Sequence, residues 1–285
     1  MAKTESHIVP ELVEKCRISD YAGGVFRTIP SRKGMKKAID KGWVRINGKL
    51  ASTGDYLNGG ETIELAFEET VDRPTIELKI EILFEDEFLA VVNKPAGIEV
   101  SGNRKWTLEN TLSINLKPSS EPDALKYPEP IHRLDYPTSG ALLIGKTNAA
   151  VSELNRMFAD REITKTYMAI TIGKMPNSGI VDSEIDGKSS QSEFRLLQTV
   201  ESERFGQLNL AELNPKTGRR HQLRKHMAEI GNPILGDREY GSEGLILSGK
   251  GLYLHSVSLS FVHPFTKEEL TIEAPLPKKF LKIFP

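Results

Sequence analysis

Two short stretches hold the densest groupings of reactive side chains in this 285-residue chain. One is Ile131-His132-Arg133-Leu134-Asp135-Tyr136-Pro137-Thr138-Ser139-Gly140; the other is Thr217-Gly218-Arg219-Arg220-His221-Gln222-Leu223-Arg224-Lys225-His226. His132, Asp135 and Ser139 are the residue types of a hydrolase triad. They crowd along one piece of backbone, however, and lack the Gly-x-Ser-x-Gly elbow that presents a nucleophilic serine. His221 and His226 are five positions apart with no acid placed as in the His-Glu-x-x-His zinc motif, which argues against a metal. Neither a Walker loop nor a Gly-x-Gly-x-x-Gly turn occurs, which argues against a nucleotide cofactor. What remains is a lone carboxylate among arginines. Asp135 beside Arg133, with Arg224 from the distant stretch, is the kind of group that neighbouring cations keep charged. Such a carboxylate suits nucleophilic or proton-abstracting work at neutral pH. The same residues also fit a plainer role, in which Asp135 caps a turn and the arginines tie loops together.

Strands and one helix must position these groups. Ile80 to Phe84 and Phe88 to Val92 read as strands, the second running into Asn93-Lys94-Pro95-Ala96-Gly97. Pro118, Pro122, Pro128 and Pro130 punctuate a polar stretch expected to be a loop, not a helix or strand. An apolar strand from Ala141 to Ile144 follows the Asp135 motif. Thr147 or Asn148 then caps a helix whose Val151, Leu154, Met157 and Phe158 share one face. Thr166 to Ile172 forms another strand, with Lys165 and Tyr167 near its start, and Tyr253 to Phe261 alternates weakly. Many strands with few helices predict an α+β fold built on a mixed, mostly antiparallel sheet.

Positive charge is concentrated in one amino-terminal segment. The whole chain carries 38 basic and 39 acidic residues, net −1, so it is no general polyanion binder. Yet Arg27 to Lys49 holds eight cations against Asp40 alone, a local +7. Ser31 is placed to cap a helix through Met35, Ala38 and Ile39 that ends at Gly42. Trp43 to Ile46 alternates as a strand, Asn47-Gly48 makes a two-residue hairpin turn, and a second strand is expected to end near Gly59-Gly60. Glu61 to Leu65 reads as a third. Arg32, Lys33, Lys36, Lys37 and Lys41 on such a unit fit a reader of backbone phosphates, and equally a solvated helix face. Phe67 to Ile76 has no clear period and reads as a linker. The expected division is residues 1–66, a linker at 67–76, and 77–285. Hydrophobic residues make up 38% of the chain, enough for a real core, and no run reaches the ~18 apolar residues of a membrane-crossing helix. The start of the chain lacks a secretory apolar segment, and Cys16 is the only cysteine, so no internal disulfide forms. These features predict a cytoplasmic protein without membrane attachment.

SRKGMKKAIDKGWVRINGK, with Arg17 before it and LNGGETIEL after it, resembles the S4 RNA-binding domain over roughly residues 14–66. HRLDYPTSG, then KTYMA, then GRRHQLRKH with GDREYG resembles the RluA-type RNA pseudouridine synthases over roughly residues 80–285. The resemblance implies a pseudouridine synthase catalytic domain behind a small N-terminal α/β S4-like domain. It implies an isomerase that detaches uracil from ribose at N1, turns it and rejoins it through C5, with no cofactor and no metal. Asp135 falls at the essential aspartate, as nucleophile or as proton abstractor. Arg224 falls at the cation that pairs with it, Tyr167 at the aromatic that stacks on the base, and Leu223 at an apolar wall. Arg133 falls at the arginine that displaces the uridine, and His132, Arg219 and Gln222 accompany these as substrate-binding positions.

The chain departs from the family pattern at three places. Tyr136-Pro137 stands where a polar, usually arginine-containing pair follows the aspartate, Arg220 replaces a threonine, and Ile98-Glu99-Val100 lacks a common histidine. These bear on which RNA is recognised. The expected partner is structured RNA, rRNA first and tRNA second, bound by a monomer. The competing class is a non-catalytic RNA-binding or ribosome-assembly factor, against which stands the complete set Asp135, Tyr167 and Arg224.

Overall fold

A computed structural model describes residues 3–26, 29, 31–67, 73–247 and 249–285. Arg27 and half of the segment expected as a linker, residues 68–72, lie outside the described residues. The chain forms two compact units, Met1–Pro74 and Thr75–Pro285.

The first unit runs β1 (Lys3–Ile8), β2 (Cys16–Arg17), α1 (Ile18–Tyr21), α2 (Arg32–Asp40), β3 (Val44–Ile46), β4 (Lys49–Leu50), β5 (Tyr56–Leu57) and β6 (Thr62–Phe67). Its sheet has the order β1-β6-β3-β4, and β2 pairs with β5. Ser31 Oγ accepts the Gly34 N–H and so caps α2. Met35, Ala38 and Ile39 then pack on Ile18, Val44, Ile63 and Leu65. Asn47 and Gly48 both take positive φ, the geometry of a tight hairpin. The strand expected to run to Gly59-Gly60 is in fact two pieces, β4 and β5. Asp55 accepts the Ser52 N–H and breaks the strand with a turn. β1 was not foreseen, because its residues are polar except Ile8 and it pairs on one side only, with β6.

The second unit begins with β7 (Glu81–Glu85), β8 (Leu89–Lys94), α3 (Leu112–Asn115), β9 (Ala124–Pro130), β10 (Ser139–Thr147) and α4 (Asn148–Ala159). It continues through β11 (Thr164–Ile172), β12 (Ser178–Ile185), β13 (Lys188–Ser202), β14 (Gly206–Pro215) and α5 (Gln222–Glu229). It closes with β15 (Leu254–Val262), β16 (Glu269–Glu273) and α6 (Lys278–Leu281). The ten strands form one sheet of order β12-β13-β14-β11-β15-β10-β8-β7, with β9 beside β10 and β16 beside β15. The mixed, mostly antiparallel sheet is as expected. Its one parallel pairing, β10 with β15, joins the two halves.

Two segments correct the sequence reading. The proline-rich stretch expected as a loop contains β9, with Pro128 and Pro130 inside it. β9 pairs with β10 alone, and a strand with a free edge tolerates a missing N–H. The strands β12 to β14 carry little apolar alternation. The buried face of β13 is built from Ser190, Ser192 and Phe194, so hydroxyls occupy places where large apolar side chains would mark a strand.

Both faces of the central strands are covered, which explains their continuous apolar runs. β8 and β10 turn Leu89, Val91, Ala141 and Leu143 towards Ala150, Leu154 and Met157 of α4. They turn Ala90, Val92, Leu142 and Ile144 towards the opposite core, which contains Leu134, Tyr167, Leu223 and Met227. Each buried leucine stabilises the fold by roughly 1.5–3 kcal/mol. The parallel junction depends on Gly140, whose φ is +114° and whose added Cβ would stand 2.2 Å from the Ser256 carbonyl oxygen.

Candidate active site

The loop before β10 carries Asp135 into the junction, where a turn closed by the Thr138 N–H on the Asp135 carbonyl begins the strand. Lys94, at the end of β8, is wholly buried beneath this turn. Its Nζ donates to the carbonyl oxygens of Thr138 (2.8 Å), Pro95 (3.0 Å) and Tyr136 (3.4 Å). Burial pushes the Lys94 ammonium down to about 7, while the charge of Asp135 pulls it the other way. The Gly97 N–H also binds the Tyr136 carbonyl. The Asp135 loop is therefore clamped from below by β8 and the turn that follows it.

On the facing side, α5 begins at His221, itself in the left-handed region with φ 55°. Arg224, one turn further on, lies 3.8 Å from Asp135, close enough for an ion pair but too long for a hydrogen bond. Its tight partners are elsewhere. Nε and Nη2 hold Asp237 at 2.7 and 2.8 Å, and Nη2 holds Glu239 at 2.7 Å. Burial opposes the Arg224 charge, but the hydrogen bonds and charge of Asp237 outweigh it and raise the guanidinium further. Burial likewise opposes the Asp237 charge, and Arg224 with the N–H groups of Glu239 and Tyr240 holds it below the usual range. His221 bridges the same groups, with Nδ1 3.0 Å from Glu239 and Nε2 3.8 Å from Asp135. Burial pushes His221 down; Asp135 opposes that shift and Arg224 adds to it.

Asp135 lies on the wall shared by two cavities, of about 380 and 550 Å³. All eight site residues expected from the sequence line the first: Asp135, Arg224, Tyr167, Arg133, Leu223, His132, Arg219 and Gln222. Tyr167 stands at a bulge where β11 shifts register against β15, a device that re-aims a side chain. Burial pushes its phenol up, so the ring stays neutral. Leu134, Leu223 and Leu254 supply apolar walls. Arg133 is exposed at the rim of both cavities.

Two of the eight are committed to the protein itself. His132 Nε2 accepts the Leu143 N–H, its ring leans on Phe158, and burial pushes it down to about 3. Gln222 uses its whole amide, accepting from Thr217 and the Arg219 N–H and donating to Gln191 and Ser192. It shapes the Thr217–Arg219 loop instead of offering a free group to a ligand. Arg219 donates from Nε to the Ser189 carbonyl. Lys94, His221, Asp237 and Glu239 were given no role in the sequence reading. The signals were present in KPAG, GRRHQLRKH and GDREYG, but only the fold shows which of those residues meet.

In the first unit, Lys33, Lys36 and Lys37 are exposed on α2, and no acid pairs with them among the described residues. Arg32 is paired with Asp20, and Lys41 lies over the Trp43 ring at 4.3 Å. Among the described residues no group of three or more His, Cys, Asp or Glu side chains could hold a metal. No helix among them is long and apolar enough to cross a membrane.

A cavity with room for a flipped nucleotide, and with an aspartate, a neutral tyrosine and a buried arginine on its walls, invites comparison with enzymes that act on a single base. The family described as RNA pseudouridylate synthase matches residues 88–229, which contain Asp135, Tyr167 and Arg224. An uncharacterized RNA pseudouridine synthase of Aquifex aeolicus is 32% identical over 282 residues, covering 89% of this chain and 88% of that protein. The ribosomal large subunit pseudouridine synthase C of Vibrio cholerae is 30% identical, covering 91% and 89%. The solved human RNA pseudouridylate synthase domain containing 4 is 26% identical with a TM-score of 0.57, covering 70% of this chain and 90% of that one. Motifs, fold and relatives agree, and this chain belongs to the RluA-type RNA pseudouridine synthases, isomerases that act on RNA.

Proposed function

We propose that the enzyme isomerises uridines of structured ribosomal RNA, with Asp135 as the essential group. The observation that carries this reading is the position of the Asp135 carboxylate, on the cavity wall with Tyr167 and 3.8 Å from Arg224. A uridine stacked in a helix cannot present both N1 and C5, so it must be flipped out at a cost of a few kcal/mol. Arg133 at the rim fills the space the uridine leaves, and the Tyr167 ring stacks on the base. The carboxylate then acts at C1′ of the sugar as nucleophile, at C2′ as base, or by adding to the uracil itself. The N1–C1′ bond breaks, uracil turns, and C5 bonds to C1′ as Asp135 breaks the bond it had formed or returns the C2′ proton it had taken; C5 loses its proton and N1 gains one.

Ribosomal RNA is favoured because the Vibrio cholerae relative is named for the large ribosomal subunit. Residues 1–66 serve as an S4-like RNA-binding domain, 67–76 as a linker and 77–285 as the catalytic domain. The exposed Lys33, Lys36 and Lys37 support that division of labour. The test is pseudouridine mapping of rRNA and tRNA from cells lacking the protein, then with wild type or Asp135→Asn restored. Sites in rRNA that return with wild type alone are expected. Sites in tRNA alone would replace the substrate, and no change at any site would favour a binding factor.

A further inference from the structure

A third cavity, of about 610 Å³, opens beside the active-site cavity and shares Phe158, Lys165, Pro215, Thr217, Gly218 and Arg219 with it. Every charged residue lining it is a cation: Arg161, Lys165, Lys216 and Arg219. Arg161 and Lys165 have no acid partner among the described residues. The two acids that flank Arg161 in sequence, Asp160 and Glu162, are both held by Arg156 at 2.7 Å, and neither lines the groove. Arg161 sits just past the end of α4 with φ 61°, where the chain turns into β11. Lys165 carries its charge part-buried against the Phe158 ring at 5.7 Å. Burial lowers its ammonium, and the charge of Arg161 lowers it further. Two like charges held together without a counter-ion repel each other, and a ligand anion relieves that repulsion.

We infer that this groove holds phosphates of the RNA strand next to the target uridine, through Arg161, Lys165 and Lys216. The inference rests on the RNA reading above and adds a path for the strand. A phosphodiester backbone leaving the active-site cavity past Thr217 and Gly218 enters a groove with no carboxylate on its walls. Lys216 is at present paired with Glu193 at 2.9 Å on an exposed face, so a phosphate competes for it on even terms.

The test measures binding of an oligouridylate across a salt series for the full-length wild type and for the double variant Arg161→Gln, Lys216→Gln. Both altered side chains are exposed and outside the catalytic cavity. Two lost phosphate contacts should flatten the plot of log affinity against log salt by about 1.4, at ~0.7 for each contact to a single strand. Glu193→Gln, which releases Lys216, should shift affinity in the opposite direction. An unchanged slope in the double variant, with thermal unfolding like wild type, overturns the inference. Pseudouridine formation on a large-subunit rRNA transcript is measured on the same samples. Wild-type activity with an unchanged slope defeats the groove alone. A flattened slope with no wild-type activity defeats the substrate reading and leaves the groove standing.

Discussion

Arg224 and Asp237 form a two-pronged ion pair, at 2.7 and 2.8 Å, with both side chains withdrawn from solvent. The arginine that faces Asp135 is therefore aimed by a different aspartate, thirteen residues along the chain.

Removing Asp237 should consequently damage two things at once. Asp237→Ala leaves Arg224 buried with Glu239 as its remaining hydrogen-bonded carboxylate, and breaking a buried pair from one side costs about 3–5 kcal/mol. Denaturant titration should show that loss. Turnover should fall even at temperatures where the variant is folded. Asp237→Asn, which keeps the shape, should recover stability more than turnover.

Lys94→Met should leave the fold but loosen the Asp135 turn, because three carbonyl oxygens lose their donor. A displacement of about 1 Å at a reacting group can cost on the order of a hundredfold, so kcat should fall while KM changes little. The variant also alters pH dependence. The Lys94 ammonium is pushed down to about 7 from 10.5. Between those values the unfolded chain binds the extra proton, so this group makes stability rise with pH through that window. Unfolding free energies of wild type should climb more steeply than those of Lys94→Met over the same range.

Two histidines withdrawn wholly or partly from solvent should make the second unit sensitive to acid. Burial pushes His132 down to about 3 and His255 down to about 4, from 6.5. Groups depressed on folding contribute stability that is present above the unfolded value and lost as pH falls through the folded one. Stability should decline from about pH 6.5 towards pH 4, and His132→Gln should shed part of the slope. Urea titrations at several pH values would measure this, and parallel curves for the two proteins would refute it.

The α2 lysines give a separate prediction for the first unit. Changing Lys33, Lys36 and Lys37 to Gln should weaken RNA binding and flatten its salt dependence by up to ~2, at ~0.7 for each lost contact. Helix stability should be nearly unchanged, since all three are exposed. Equal binding at every salt concentration would leave them as a solvated face.

How much of this was legible beforehand differs by residue. Asp135 and Arg224 stand in stretches dense in reactive side chains, Tyr167 gains its role only from the family resemblance, and α2, α4, β8 and β10 have apolar periods that identify them. Lys94 and Asp237 were invisible as site residues because their meaning lies in a contact across the fold. Lys94 meets Thr138 from 44 positions away. β9 was hidden by prolines that only an edge strand can absorb, and β13 by serines buried through hydrogen bonds instead of apolar contact. His132 stands in the richest motif, yet its acceptor nitrogen serves the Leu143 backbone.

The parallel pairing of β10 with β15 also sets an order in time. Ser139 and His255, hydrogen-bonded at this seam, are 116 residues apart. During synthesis the chain emerges from its amino terminus, so the first unit is complete long before β15 exists. The Asp135 loop waits, without the strand that fixes it beside Tyr167, until Leu254 to Val262 are made. Any product cut short before Leu254 therefore keeps the first unit and the Asp135 loop but lacks the strand that seats that loop.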